Sequence, residues 1–257
     1  RMHLLHDLHS AFEHDRLFMV YQPQIDLASG RVIAVEALMR WRGENGVFIA
    51  PDHFIPIAEH SGLIVALGTW ALRTALNTLK TVQAQGFPEL RMAVNISALQ
   101  FHAPDFLDTV SQALASSALA PQSLELEITE SVAMTGERLM GGLLERLRAL
   151  GITIAIDDFG TGFSSLSYLE QLPVDRLKID RSFVLSLDDR RSGRITEMIM
   201  DLGRHLQMRV IAEGVEDVQQ ARRLIELGCH EVQGYLYARP MPGPELGVWL
   251  ARTGGRG

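Results

Sequence analysis

Short apolar runs rich in valine and isoleucine alternate along this chain with longer amphipathic stretches. Eight runs stand out, at residues 17–25, 31–38, 91–95, 123–128, 152–157, 174–179, 208–212 and 230–235. Near-continuous apolar character predicts strands buried on both faces, as in a parallel sheet covered by helices. The stretches between them predict helices over residues 65–85, 104–118, 136–150, 189–206 and 216–228, with another over residues 2–14 ahead of the first strand. Gly86 with Pro88, Gly151 and Gly228 stop three of these helices. Only residues 26–30 (Asp-Leu-Ala-Ser-Gly) separate the first two strands. Parallel neighbours need a crossover of roughly a dozen residues, so this pair is expected as an antiparallel hairpin. The pattern predicts an α/β fold, a modified TIM-type (β/α)8 barrel with the first strand antiparallel to the others. No Pro/Gly/Ser-rich linker divides the chain, which reads as a single domain over residues 1–257, with residues 253–257 expected to fray.

Polar residues close these runs. Glu36 comes late in the second run, Asn95 ends the third, and Glu127 with Glu130 closes the fourth. Asp157 and Asp158 close the fifth, Lys178 and Asp180 the sixth, Glu213 and Glu216 the seventh, and Gln233 stands in the eighth. From Asn95 to Gln233, successive strand-end positions lie 20 to 35 residues apart, one strand-helix unit each. In such a barrel the C-terminal strand ends share one mouth, so residues scattered over the chain should converge there.

A lone acid at a strand end is commonly a turn former or a helix cap. Seven runs ending in this way make a cluster instead, and crowded carboxylates raise one another's pKa unless a cation holds them. The set of Glu36, Asn95, Glu127, Asp157, Asp158 and Glu213 is all oxygen, without His or Cys. Hard ligands of this kind suit Mg²⁺ or Mn²⁺ and, less well for catalysis, Ca²⁺. The acids exceed what one ion needs, so two ions are expected; pairs about 4 Å apart recur in phosphodiester hydrolysis. Lys178 is the one cation expected inside the mouth. It reads as a charge-balancing partner, or as a group that positions or deprotonates an attacking water. An imine-forming lysine is a further reading, opposed by the neighbouring carboxylates, which push a lysine pKa up.

Composition narrows the partners. The chain has 257 residues, 47% of them hydrophobic, and a net charge of −7. An acidic chain is a poor match for a nucleic-acid polymer, so none is expected as a partner, and a phosphorylated ligand must be met by metal ions or a few placed cations. A single cysteine, Cys229, fits a reducing compartment, and a cytoplasmic location is expected for this domain. No apolar run approaches the ~20 residues of a membrane span, and no signal-peptide block opens the chain. The segment 158–165 (DFGTGFSS) lacks the spacing of a phosphate-binding loop and reads as a flexible loop at the mouth. His3, His6 and His9 share one helical stripe, read as a surface face.

With these residues in place the chain resembles the EAL domain family, which hydrolyses the bacterial second messenger cyclic di-GMP. The resemblance rests on Glu36-Ala37-Leu38 within EALMRW, YQPQIDL from Tyr21, NIS from Asn95, EITES from Glu127, DDFGTGFSSL from Asp157, LKID, AEGVE, and GYLYARP ending at Pro240, all in order. It implies a metal-dependent phosphodiesterase that yields linear pGpG. By position, Glu36, Asn95, Glu127 and Asp157 match the ligands of a first ion, and Asp157, Asp158 and Glu213 the surroundings of a second. Lys178 matches the residue acting on the nucleophilic water, and Glu36, Lys178 and Glu213 make the expected catalytic set. Gln22, Leu38, Arg40 and Gln233 fall where the family contacts substrate. Glu130 matches an acid that holds the loop after the fifth strand. The resemblance further implies inhibition by Ca²⁺, a homodimer contact through that loop and the helix after it, and upstream sensory or regulatory domains that could anchor the full-length protein to a membrane. A catalytically silent cyclic di-GMP receptor signalling through a partner is the alternative, and the intact ligand positions argue against it.

Overall fold

The computed structural model describes residues 2–139, 142–161 and 166–257. Residues 162–165 of the expected mouth loop lie outside the described residues. After helix α1 (Met2–Glu13), strand β1 (Leu17–Asp26) turns directly into β2 (Val32–Arg42). The turn is set by its side chains. Asp26 Oδ2 accepts from the Ser29 backbone N–H at 2.9 Å and from its hydroxyl at 2.6 Å, and Gly30 supplies a φ of +67°. The two strands pair antiparallel, with Gln22 opposite Glu36.

The chain continues through β3 (Phe48–Ile49), α2 (Pro51–Ser61), α3 (Ile64–Ala84), β4 (Arg91–Asn95), α4 (Ala98–Phe101), α5 (Phe106–Ser117) and β5 (Leu124–Thr129). Then come α6 (Glu130–Leu139), α7 (Leu143–Ala149), β6 (Thr153–Phe159), α8 (Leu166–Leu169) and β7 (Arg176–Ile179). The last part holds α9 (Arg181–Leu185), α10 (Arg190–His205), β8 (Arg209–Glu213), α11 (Val218–Glu226), β9 (Glu231–Gln233) and α12 (Gly243–Thr253). Eight strands close in the order β1-β9-β8-β7-β6-β5-β4-β2, with β2 returning to β1 and the short β3 appended to β2. Strand β1 is antiparallel to both β2 and β9, and the other barrel pairs are parallel. This is the barrel expected from the apolar runs, with its first strand reversed.

The main core lies between the barrel and its helices. Val94, Leu126, Ile154, Leu177 and Val210 face Leu76 of α3, Leu114 of α5, Leu147 of α7 and Leu224 of α11 in one buried cluster. Each such side chain stabilises the fold by roughly 1.5–3 kcal/mol. A second cluster joins Leu8 of α1 and Phe54 of α2 to Trp41 on the hairpin. The Trp41 and Phe54 rings meet edge to face at 5.7 Å.

Two expectations are corrected. The helix predicted over residues 136–150 is two helices: α6 starts earlier, at Glu130, and α7 starts after Gly142, whose φ is +77°. The backbone there leaves the right-handed region, so the helical pattern on either side is not one rod. The tail over residues 253–257 does not fray. Val32 N–H donates to Gly255 O at 2.8 Å, and Gly257 N–H donates to Gly30 O at 3.0 Å. The hairpin turn leaves backbone groups of residues 30–32 unpaired on its outer side, and the tail satisfies them. Among the described residues no helix is long and apolar enough to cross a membrane.

Candidate active site

The barrel strands are not uniformly apolar. Alternate residues of a strand share a face, and the inward faces carry paired polar positions: Gln22 and Gln24 on β1, Glu125 and Glu127 on β5, Arg176 and Lys178 on β7, and Glu231 and Gln233 on β9. On β2, β4 and β6 small residues occupy the matching inner positions, with Ala34 below Glu36, Ala93 below Asn95 and Ala155 below Asp157, while Ile211 lies below Glu213 on β8. The interior is thus filled by two polar layers. The lower holds Gln24, Glu125, Arg176 and Glu231; the upper holds Glu36, Glu127, Lys178 and Gln233, all eight buried.

In the upper layer Lys178 has no exposed surface, and its Nζ lies 2.5 Å from Glu127 Oε2, 2.7 Å from Glu213 Oε1, 3.3 Å from Glu36 Oε2 and 4.0 Å from Asp157 Oδ1. Glu36 Oε1 accepts from Asn95 Nδ2 at 2.7 Å, and its Oε2 from Gln233 Nε2 at 2.7 Å. Asp157 Oδ1 accepts from the Asp158 backbone N–H at 2.8 Å. Oxygens of Asp157, Asp158 and Glu213 all lie within 4.8 Å of one another. A register irregularity between Ile156 and Phe159 bends β6 here, and Asp158 takes a φ of +53°. A bulge of this kind re-aims side chains at a strand end, and aspartate tolerates the left-handed region better than most residues. All six sequence-predicted ligand residues stand around this one mouth.

The electrostatics fit a cation site. Burial raises the Glu127 carboxyl well above its usual range, with the Glu36 charge adding to it. Burial likewise raises Asp157, and lifts Asp158 to about 6 and Glu213 to about 8. Glu36 is the exception. Burial pushes it up, but the Lys178 ammonium and the Asn95 and Gln233 amides together hold it below the usual carboxylate range. Lys178 itself is pushed up, because burial is outweighed by the carboxylates of Asp157, Glu127, Glu213 and Glu36. A lysine held as ammonium can donate or balance charge but is poorly suited to take a proton or to form an imine.

A cavity of about 210 Å³ opens above this layer, lined by Gln22, Glu36, Leu38, Glu213 and Gln233 together with Arg181, Gly214, Glu216, Gly234 and Tyr235. Three of the four expected substrate contacts therefore line it. Arg40 does not line it; its guanidinium donates to the Met39 carbonyl at 2.9 Å. Glu130 is the first residue of α6 and is buried, and among the described residues neither carboxylate oxygen finds a well-formed hydrogen bond. Its pKa is raised by burial, against the Gly160 amide. The Val132 N–H is met by the Thr129 hydroxyl at 3.4 Å, so a capping role belongs to Thr129. Arg181 pairs with Glu216 at 2.6 Å on the rim, and Tyr235 stands under Arg239, whose guanidinium is 4.4 Å from the ring centre. Of those rim residues only Glu216 was among the strand-end positions, and the lower layer was not anticipated. The spacings E-x-E, R-x-K, E-x-Q and Q-x-Q within apolar runs were the available signal.

Fold and site together define a barrel of the (β/α)8 type whose mouth gathers a cluster of carboxylates around a buried lysine. The sequence profile of the EAL domain matches residues 5–240, and the chain belongs to that family. The chain is 44% identical over 247 residues to the bifunctional diguanylate cyclase/cyclic di-GMP phosphodiesterase MucR of Pseudomonas aeruginosa, covering 96% of this chain and 36% of that protein. It is 44% identical over 237 residues to the cyclic di-GMP phosphodiesterase NbdA of the same species, covering 92% of this chain and 30% of that one. A solved structure of the PaMucR phosphodiesterase in complex with c-di-GMP matches with a TM-score of 0.92 at 44% identity, covering 95% of this chain and 99% of that one. The chain spans about a third of the length of these curated relatives.

Proposed function

We propose that this chain hydrolyses cyclic di-GMP to linear pGpG in a reaction that requires Mg²⁺ or Mn²⁺. The observation that carries the reading is the ring of oxygens around Lys178 at the barrel mouth. Relatives named as cyclic di-GMP phosphodiesterases, and a family neighbour solved with c-di-GMP, support the choice of substrate. The site fits hard cations. Its donors are oxygens, Glu127 Oε1 is buried without a hydrogen-bond partner among the described residues, and four of its acids, Glu127, Asp157, Asp158 and Glu213, sit above their usual pKa range.

Glu36, Asn95, Glu127 and Asp157 would hold one ion, and Asp157, Asp158 and Glu213 a second. When bound, such ions supply Lewis-acid stabilisation of phosphoryl oxygens and make water a competent nucleophile at neutral pH. Lys178, as a buried donor between the two groups of acids, orients the attacking water. Gln22, Leu38 and Gln233 shape the floor and wall against the substrate. Arg40, once turned from the Met39 carbonyl, offers a forked donor to phosphate or guanine. Glu130 would hold the segment after β6, its carboxylate facing the Gly160 amide. We infer further that the domain works in the cytoplasm, where a free buried Cys229 is at home, as a homodimer linked to regulatory domains.

Incubating the purified protein with cyclic di-GMP and separating the products tests this reading. Linear pGpG is expected with Mg²⁺ or Mn²⁺, little of it with Ca²⁺, and none in excess EDTA. Undiminished turnover in EDTA would overturn the metal requirement. Tight binding of cyclic di-GMP without turnover in either activating metal would favour the receptor reading.

A further inference from the structure

Among the described residues a hydrogen bond from Gln24 to Gln233 joins the two polar layers of the barrel, and the join has a direction. Arginine can only donate hydrogen bonds. Arg176, 2% exposed, is held in the lower layer by Glu125 at 3.0 Å and Glu231 at 3.0 Å, and it also donates through Nη1 to Gln24 Oε1 at 3.2 Å. With its oxygen committed to the guanidinium, the fully buried Gln24 must present its amide nitrogen upward. Gln24 Nε2 donates to Gln233 Oε1 at 3.0 Å. Gln233 must then turn its own nitrogen away, and it spends both N–H groups, on Gln22 Oε1 at 2.9 Å and Glu36 Oε2 at 2.7 Å. Gln22 in turn accepts with its oxygen and donates to Ala238 O at 3.2 Å. Three amides in series therefore each have one orientation.

An amide is nearly symmetric in shape, so packing alone does not decide which end is nitrogen. Were Gln233 reversed, its carbonyl oxygen would face the Glu36 carboxylate, two acceptors without a proton between them in a low-dielectric interior. With Gln233 as donor on Oε2 and Asn95 as donor on Oε1, the Glu36 carboxylate is fixed in rotation; Oε2 also faces the Lys178 ammonium at 3.3 Å, and Oε1 keeps a lone pair for a cation.

We propose that Gln24 and Arg176 are positioning residues of the active site: they set the polarity of the amide relay that presents Gln233 as a donor to Glu36. The proposal rests on the reading of Glu36 as a metal ligand. It predicts that reversing the relay, without removing anything from the upper layer, weakens metal binding.

Two near-isosteric substitutions test it. Gln24→Glu keeps an acceptor for Arg176 but places a second acceptor against Gln233 Oε1, so Gln233 is driven to reverse. Gln24→Leu removes the donor without imposing reversal. Mn²⁺ binding is counted from the electron paramagnetic resonance of the free ion, without substrate, and kcat and KM are measured across a Mn²⁺ titration. Gln24→Glu should weaken Mn²⁺ binding by about 10- to 100-fold, the range seen when the partner of a metal ligand is lost. Its kcat should recover as Mn²⁺ is raised, with KM for cyclic di-GMP at saturating metal little changed. Gln24→Leu should show a much smaller loss. An added negative charge near a cation site would by itself tighten binding, so a loss separates polarity from simple electrostatics. Mn²⁺ binding by Gln24→Glu equal to or tighter than that of the wild type overturns the proposal, as does an equal loss in both variants. A measurement on the unaltered protein needs no variant to fold. In ¹⁵N-labelled, metal-free protein the side-chain amide protons of Gln233 should exchange slowly with solvent, and fast exchange there overturns the relay. Absence of any Mn²⁺ binding by the wild type would instead overturn the metal reading, with the relay still decided by amide exchange.

Discussion

Replacing Lys178 by methionine isolates the charge at the centre of the mouth. Methionine keeps most of the aliphatic stem, so little cavity is left and the main change is loss of the ammonium. That group lies between 2.5 and 4.0 Å from carboxylates of Glu127, Glu213, Glu36 and Asp157, with no exposed surface. Removing one partner from a buried ionic cluster costs about 3–5 kcal/mol, because the remaining charges stay desolvated. In a domain of this size each kcal/mol moves the melting temperature by roughly 2–4 °C, so the metal-free variant should melt about 6–20 °C lower at pH 8.5. Two conditions should shrink the gap. At pH 5.5 the acids take up protons, Glu213 among them because its pKa already stands at about 8, and there is less charge to compensate. With saturating Mn²⁺ a bound cation takes over the compensation. Under the same metal, turnover should fall far more than cyclic di-GMP affinity. The assay is thermal melting in EDTA and in Mn²⁺ at both pH values, followed by kinetics. Equal melting of wild type and variant in EDTA at pH 8.5 would show that Lys178 does not hold the acids together, and equal turnover would remove its role in the reaction.

Other outcomes follow from the same geometry. The raised carboxyls of Glu213, at about 8, and Asp158, at about 6, favour the folded state while protonated. That stability is full below their ordinary values and is lost as pH rises through the shifted ones, so the metal-free protein should melt progressively lower from pH 5 to pH 9. Cations must displace those protons, so Mg²⁺ affinity should climb over the same range with proton release, measured by calorimetry in buffers of different ionisation enthalpy; a flat affinity would contradict it. Glu130→Ala should leave melting nearly unchanged, since Thr129 meets the Val132 N–H, while lowering Mg²⁺ affinity and turnover. A variant that melts lower and hydrolyses at the wild-type rate would return Glu130 to a structural role.

The strands, their alternation with helices and the reversed first strand were legible from local pattern, because apolar runs and a five-residue connection are properties of neighbouring residues. So were the ligand candidates, since each ends its own run. What the residues do to one another was not legible. Lys178 meets Glu127 across 51 residues of chain, and Gln233 meets Glu36 across 197, contacts that exist only once the strands have assembled into the barrel. Closure also decides which amide donors reach each acid, and therefore why Glu36, with Asn95 and Gln233 on its oxygens, is held ionised while Glu213 is pushed up beside the same lysine. The lower layer was hidden for a related reason. Glu125, Arg176 and Glu231 sit at the beginnings of their strands, where a polar residue ordinarily marks a loop boundary, and only the inward pleat of three separate strands makes them one buried cluster. The tail over residues 253–257 shows the same division: its composition reads as loose, and it is ordered by backbone groups that another part of the chain leaves unpaired. Sequence pattern determined which elements form and which chemistry they carry to the strand ends, while the closed sheet alone determined the distances, burial and donor directions that make those side chains a site.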